Sequence, residues 1–218
     1  MKRRILLWLL GAATEAGKVV FGMLIASLIV SALINKECRA QVPANAGHYK
    51  HQLRQQAHMV WGLDAPISTF AAQIHQESHW NATARSRVGA VGLSQFMPST
   101  ADWISGAYPN LRENAPMNPT WAMRALVTYN KHLYTRIAAE NKCERMAFVL
   151  SAYNGGLGWV IKRKAKSAVP LQCLGKTCDI NPGIAPANQK ENAEYPRRIL
   201  LRYEPTYVKA GWGAGSCS

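Results

Sequence analysis

Three short segments carry the side chains best suited to chemistry: Glu77-Ser78-His79-Trp80, Gly92-Leu93-Ser94-Gln95-Phe96-Met97-Pro98 and Ala152-Tyr153-Asn154-Gly155-Gly156. Each lies at an end of an apolar helical stretch, where a side chain can leave the core and face a cleft. Together they offer one acid, one amide and one phenol. That set suits protonation of a leaving oxygen, as in breaking a bond between two sugars. Glu77 lies seven residues after Phe70 and three after Ile74, which puts it on the core-facing side of a helix. It also falls in the last turn, near the negative end of the helix dipole. Apolar surroundings and that dipole both disfavour a carboxylate, so the sequence predicts a raised pKa, as a general acid needs. Read alone, Glu77 is a solvated helix-end charge; the neighbouring segments reverse that reading.

The elements that must position these groups are helical. His48 to Leu63 carries helix-compatible apolar spacing, and Asp64 is expected to cap the next helix, with Pro66 in its first turn. Ile67, Phe70, Ala71 and Ile74 follow at helical steps. Asn118-Pro119 opens another helix running through Trp121, Leu126 and Leu133. Arg145 to Tyr153 is a third apolar stretch, stopped by Gly155-Gly156, and a last helix is expected over Tyr195 to Tyr203 with Pro196 early in it. Residues 163–190 read as loop. Strand-like alternation is scarce, so the fold class is all-α in a single domain.

Composition narrows the setting. The chain has 218 residues, with Lys+Arg at 26 against Asp+Glu at 12, a balance that favours polyanionic surroundings. No zinc-finger spacing, ribonucleoprotein motif or basic heptad helix is present, so nucleic acid has only charge in its favour and is not an expected partner. Lys2-Arg3-Arg4 precede an apolar patch over Ile5 to Leu10 and an uncharged run from Val19 to Ile34. Residues 1–40 are therefore expected to be a signal peptide or a signal-anchor helix. Cleavage after Ala40 is the favoured reading, with an uncleaved anchor close behind; it would leave 20 basic against 10 acidic residues. The exported chain would keep four cysteines, Cys143, Cys173, Cys178 and Cys217, which allow three disulfide connectivities. Cys173 with Cys178 is the first expected pair.

Four segments over residues 50–203 then occur in a telling order: Glu77-Ser78 followed by Trp80-Asn81, the loop from Ser86 to Pro98, Ala152-Tyr153-Asn154, and Glu191-Asn192-Ala193-Glu194-Tyr195. In this order they resemble the lytic transglycosylases, lysozyme-like enzymes that cut bacterial cell-wall glycan. Ser94 stands where the family usually has Met, and Asn192 where it has Thr. From composition, residues 41–47 read as a linker and 205–218 as a flexible tail, half glycine and serine from Gly211 on and mobile unless Cys217 ties it down. The resemblance implies a goose-type lysozyme-like domain over 48–204. It implies that Glu77 protonates the glycosidic oxygen between N-acetylmuramic acid and N-acetylglucosamine. It further implies that Ser86 and Gln95 hydrogen-bond the sugar, Tyr153 orients Glu77, and Asn154 holds the loop or the glycan. Glu191 and Tyr195 would line the cleft. Gly89 and Gly92 would let backbone approach a sugar ring. No cofactor or metal is implied. The implied partners are peptidoglycan glycan strands, a secretion, conjugation or phage apparatus, and the inner membrane should residues 19–34 stay as an anchor.

Three rivals compete. His75 and His79 flank Glu77 at a four-residue spacing, which invites zinc, but Glu77 is turned roughly 200° away from His75 on the helix. A goose-type lysozyme would share the fold and use water. A glycan-binding assembly protein would keep the fold without the activity.

Overall fold

The computed structural model describes residues 41–217; the export or anchor segment expected over 1–40 lies outside them. Two helices are buried almost all round and set the position of everything else. In α2 (Ile67–Ser78) every residue from Ile67 to His75 is buried, and in α5 (Lys142–Gly155) so is every residue from Met146 to Ala152. A helix with no side left to solvent must be surrounded by other elements. Around α5 pack α4 (Pro119–Tyr134), α6 (Leu157–Lys166) and α7 (Pro186–Arg197). Around α2 pack the segment Arg198–Tyr203 and α8 (Glu204–Lys209), while α1 (Lys50–Trp61) covers α4. The remaining helix, α3 (Pro98–Ala107), follows the glycine-containing loop. Among the described residues there is no strand, only isolated bridges Arg85–Val91 and Val91–Phe96 that fold the loop before α3. The all-α reading therefore stands.

Local chemistry explains the helix starts. Asn118 accepts from the Thr120 and Trp121 amides at the head of α4, with Pro119 in the first turn, and Asn141 accepts from Glu144 at the head of α5. Asp64 does not cap α2: the helix begins only at Ile67, so Pro66, whose side chain has no acceptor, holds the capping position. The expected linker over 41–47 is already structured, since Ala44–Tyr49 forms a 3-10 turn with Ala46 buried.

The chain after residue 163 departs most from expectation. The α6 helix runs on to Lys166, Thr177–Asp179 forms a turn, and α7 starts at Pro186. Pro196 thus sits inside α7 rather than opening a helix, and the backbone relaxes into a π segment over Arg198–Tyr203. A proline supplies no N–H, so the ladder skips a bond there and the register widens. The stretch 205–217 is no loose tail. Buried Glu204 accepts from Thr69 Oγ1 at 2.5 Å, from the Ser216 amide at 3.0 Å and from the Cys217 amide at 2.9 Å. Ser68 donates to the Gly213 carbonyl at 2.6 Å, and Trp212 is buried against Trp80 and Tyr207. Cys217 is bonded to Cys143, and Cys173 to Cys178 as first expected.

Candidate active site

At its C-terminal end α2 passes from core to cleft. His79 ends the helix in the left-handed region at φ 51°, and Trp80 follows at φ 63°. Such backbone is costly for side-chain-bearing residues and persists where surroundings hold it. Trp80 is the holder: its ring is buried, and its indole N–H donates to Tyr207 at 2.6 Å. Glu77, one turn earlier, is left half-buried at the wall of a 410 Å³ cleft.

All seven residues singled out from the sequence line that one cleft: Glu77, Ser86, Gln95, Tyr153, Asn154, Glu191 and Tyr195. They arrive from α2, the loop before α3, the end of α5 and α7. The loop is pinned to α2 by Ser78, whose hydroxyl donates to the Leu93 carbonyl at 2.9 Å. Ser86 closes the loop on itself, its Oγ accepting from the Ala90 amide at 2.9 Å. Gln95, at φ 46°, donates from Nε2 to the Gly92 carbonyl at 2.9 Å, which fixes its side chain in the cleft wall.

The tyrosine that touches the acid is Tyr195, not Tyr153. Tyr195 donates its hydroxyl hydrogen to Glu77 Oε1. Tyr153 instead donates to the Ser94 carbonyl at 2.7 Å, so it orients the loop rather than the carboxyl. Behind Tyr195 stands a buried amide chain. Gln73 Nε2 donates to Tyr195 at 3.4 Å, and Asn130 Nδ2 donates to Gln73 Oε1 at 2.6 Å. Asn154 is held by Asn192, whose Nδ2 donates to Asn154 Oδ1 at 2.8 Å and to the Ser151 carbonyl at 2.9 Å.

Burial pushes the Glu77 carboxyl up to about 8, the Tyr195 hydrogen bond pulls against that rise, and the nearby negative charge of Glu191 adds to it. A carboxyl in this state carries its proton at neutral pH and can donate it. His75 offers no comparable group. Its ring stacks on Tyr203 with centroids 4.3 Å apart, its Nδ1 lies 3.1 Å from the Tyr207 hydroxyl, and burial, then His79 and Arg202, hold it down at about 4. Among the described residues no group of three His, Cys, Asp or Glu is placed to hold a metal ion.

The sequence reading missed part of the wall. Tyr129, Phe96, Met97 and Thr100 also line the cleft. Tyr129 sits at a helical spacing indistinguishable from core, and its half-exposed ring, 5.3 Å from Tyr153, shows the difference only in three dimensions. Ser94 and Asn192, the two departures from the family pattern, are both buried and bonded. Ser94 donates to the Ala122 carbonyl at 2.9 Å, and Asn192 accepts from Ser151 at 2.7 Å.

This geometry can be set beside known proteins. The membrane-bound lytic murein transglycosylase F of Shewanella denitrificans is 32% identical over 91 residues, covering 41% of this chain and 17% of that protein. Its counterpart from Pasteurella multocida is 34% identical over 100 residues, covering 44% and 19%. The chain thus spans under a fifth of the length of the curated relatives it matches. Among solved structures, the 70 kDa soluble lytic transglycosylase SLT70 of Escherichia coli superposes with a TM-score of 0.58 at 22% identity, over 78% of this chain and 25% of that one. It shares the all-α lysozyme-like fold. A family model described as the transglycosylase SLT domain matches residues 59–170, just over half of the 218 residues and all of the wall from Glu77 to Asn154. On that match, the chain belongs to the transglycosylase SLT domain family.

Proposed function

We propose that this protein is a peptidoglycan lytic transglycosylase that cuts the β-1,4 bond between N-acetylmuramic acid and N-acetylglucosamine without consuming water. The carrying observation is the place of Glu77, in the wall of a cleft shared with Ser86, Gln95 and Tyr153 inside the family match, with its carboxyl held by Tyr195; burial there raises its pKa to about 8, so it keeps a proton at neutral pH. Glu77 donates that proton to the glycosidic oxygen, which leaves with the bonding pair as the N-acetylglucosamine hydroxyl. The cation left at C1 is stabilised by the muramyl sugar's own 2-acetamido group, as in substrate-assisted glycosidases. Glu77, now a carboxylate, takes the proton from the C6 hydroxyl of the same ring, and that oxygen closes on C1. The nucleophile belongs to the bound sugar, so no second molecule needs positioning. Gln95 and Ser86 steady the ring from the loop side. Curated relatives named membrane-bound support an envelope location, which agrees with export of this chain to the periplasm. Local opening of the wall for a secretion, conjugation or phage apparatus is the role that fits such a chain.

Mass spectrometry of fragments released from purified sacculi tests this reading. Muramyl ends lighter by one water than reducing ends are expected. Reducing ends alone would make water the nucleophile, with Glu191 as the second carboxylate of the cleft.

The pH profile tests the acid. Cleavage needs the proton on Glu77, so it should hold below about pH 8 and fall as pH rises through about 8. Tyr195→Phe removes the bond that holds this value down, so the alkaline limb should move upward. The maximal rate should fall roughly tenfold to a hundredfold as the carboxyl loses its orientation. A limb that stays put would assign it to another group.

A further inference from the structure

The C–H faces of pyranose rings pack on aromatic rings, so an exposed indole beside a glycan cleft is a ready platform. Trp103 keeps 44% of its surface exposed, yet its ring is fixed. It meets Tyr129 and His132 edge-on, with centroids 5.8 and 5.0 Å apart. His132 is itself held by Tyr108, whose hydroxyl lies 2.8 Å from Nδ1. Trp103, Tyr129 and His132 wall a second hollow of 290 Å³, with Ser99, Thr100, Leu133 and Leu157 on its other sides. Thr100 and Tyr129 also line the main cleft, so the two spaces adjoin. Tyr153, Tyr129 and Trp103 thus form one aromatic strip leading out of the cleft.

The hollow's chemistry is that of a neutral, hydroxyl-rich ligand. No carboxylate, lysine or arginine lines it, and Ser99 and Thr100 supply hydroxyls at its rim. His132 is held below its ordinary value by burial and Arg136, which leaves its ring uncharged at neutral pH. We propose that this hollow is a further glycan subsite, in which Trp103 stacks on a sugar of the same strand beyond those held at Glu77. The proposal rests on the glycan-cutting function argued above.

Its test compares long amidase-stripped glycan strands with the shortest strand the full chain cuts. Trp103→Ala should raise KM about tenfold on long strands, the loss of about one stacked ring. The effect should vanish on the shortest strand, and Trp103→Phe should retain most of the affinity. Equal loss on both lengths, or none on either, overturns the subsite. Should the wild-type chain cut neither, the function argued above falls, and chitohexaose binding by titration calorimetry then judges the subsite alone. Weaker binding by Trp103→Ala would support it, and equal binding would overturn it.

Discussion

Replacing Glu77 by glutamine is expected to cut glycan cleavage by roughly 10²–10⁴-fold, the span removed with a general acid, without loss of the fold. The upper end is expected because the same carboxyl serves twice, as acid and then as base. Glutamine keeps the shape and can still accept from Tyr195, but it has no proton to give. The variant should also melt higher at pH 8 than the wild-type chain. The sign follows from linkage: an unfolded Glu77 ionises near 4.5, whereas the folded one holds its proton to about 8. Below 4.5 both states are protonated and nothing is lost; between the two values the unfolded state sheds its proton and the native state is penalised. Glutamine removes that penalty, which is on the order of 2 kcal/mol once water at the cleft mouth is allowed for. Dye release from labelled sacculi and calorimetric melting at pH 4 and pH 8 would read both effects. Retained turnover would mean that another group does the chemistry.

The second large effect is expected at Gly92. Its φ is +76°, and a Cβ there would lie 2.0 Å from the Pro116 carbonyl oxygen, a backbone atom that cannot swing aside. Gly92→Ala should therefore cost about 3–5 kcal/mol, combining a left-handed backbone penalty with a clash. It should also displace Ser94 and Gln95, so activity should fall with stability. Gly89→Ala is the control. Gly89 has φ +93° but nothing within 4 Å of a Cβ, so only the conformational term applies, about 1–2 kcal/mol. Melting curves that rank the two variants equally would contradict this account.

Gly92 also shows where sequence reasoning stops. The motif marks the glycine, and chemistry suggests a reason, close approach of a sugar. The structure supplies a different one, the protein's own Pro116 carbonyl. Local periodicity gave the helices around Ile67–Ile74 and Trp121–Leu133 because their apolar spacing is uninterrupted. It could not foresee α3, whose apolar positions are few, nor the run-on of α6 to Lys166, where lysines mask a helix that buries Val160 and Arg163. The glycines and serines of the tail look unconstrained, and the sequence left its order to hang on Cys217, which the structure ties to Cys143. That order comes from Ser68, Thr69 and Cys143, far away in sequence, and from the buried Glu204 just before the tail.

The site was legible by membership and less so by role. All seven residues meet at one cleft, brought there by the end of α2, the loop before α3, the end of α5 and one side of α7. The exchange between Tyr153 and Tyr195 was not readable. Which of two phenols reaches a carboxyl depends on where α7 lies against α2, and no spacing within either motif encodes that distance. The amide chain from Asn130 through Gln73 was equally hidden, since both residues look like polar interruptions of apolar helices.

The central claim is that one carboxyl, Glu77, carries its proton into neutral pH. Titrating its side-chain carbon by ¹³C nuclear magnetic resonance in the full chain, with Glu77→Gln assigning the signal, reads that claim directly. A midpoint near 8 is expected. A midpoint at the ordinary value of 4.5 would leave no proton to donate at neutral pH, and would contradict it.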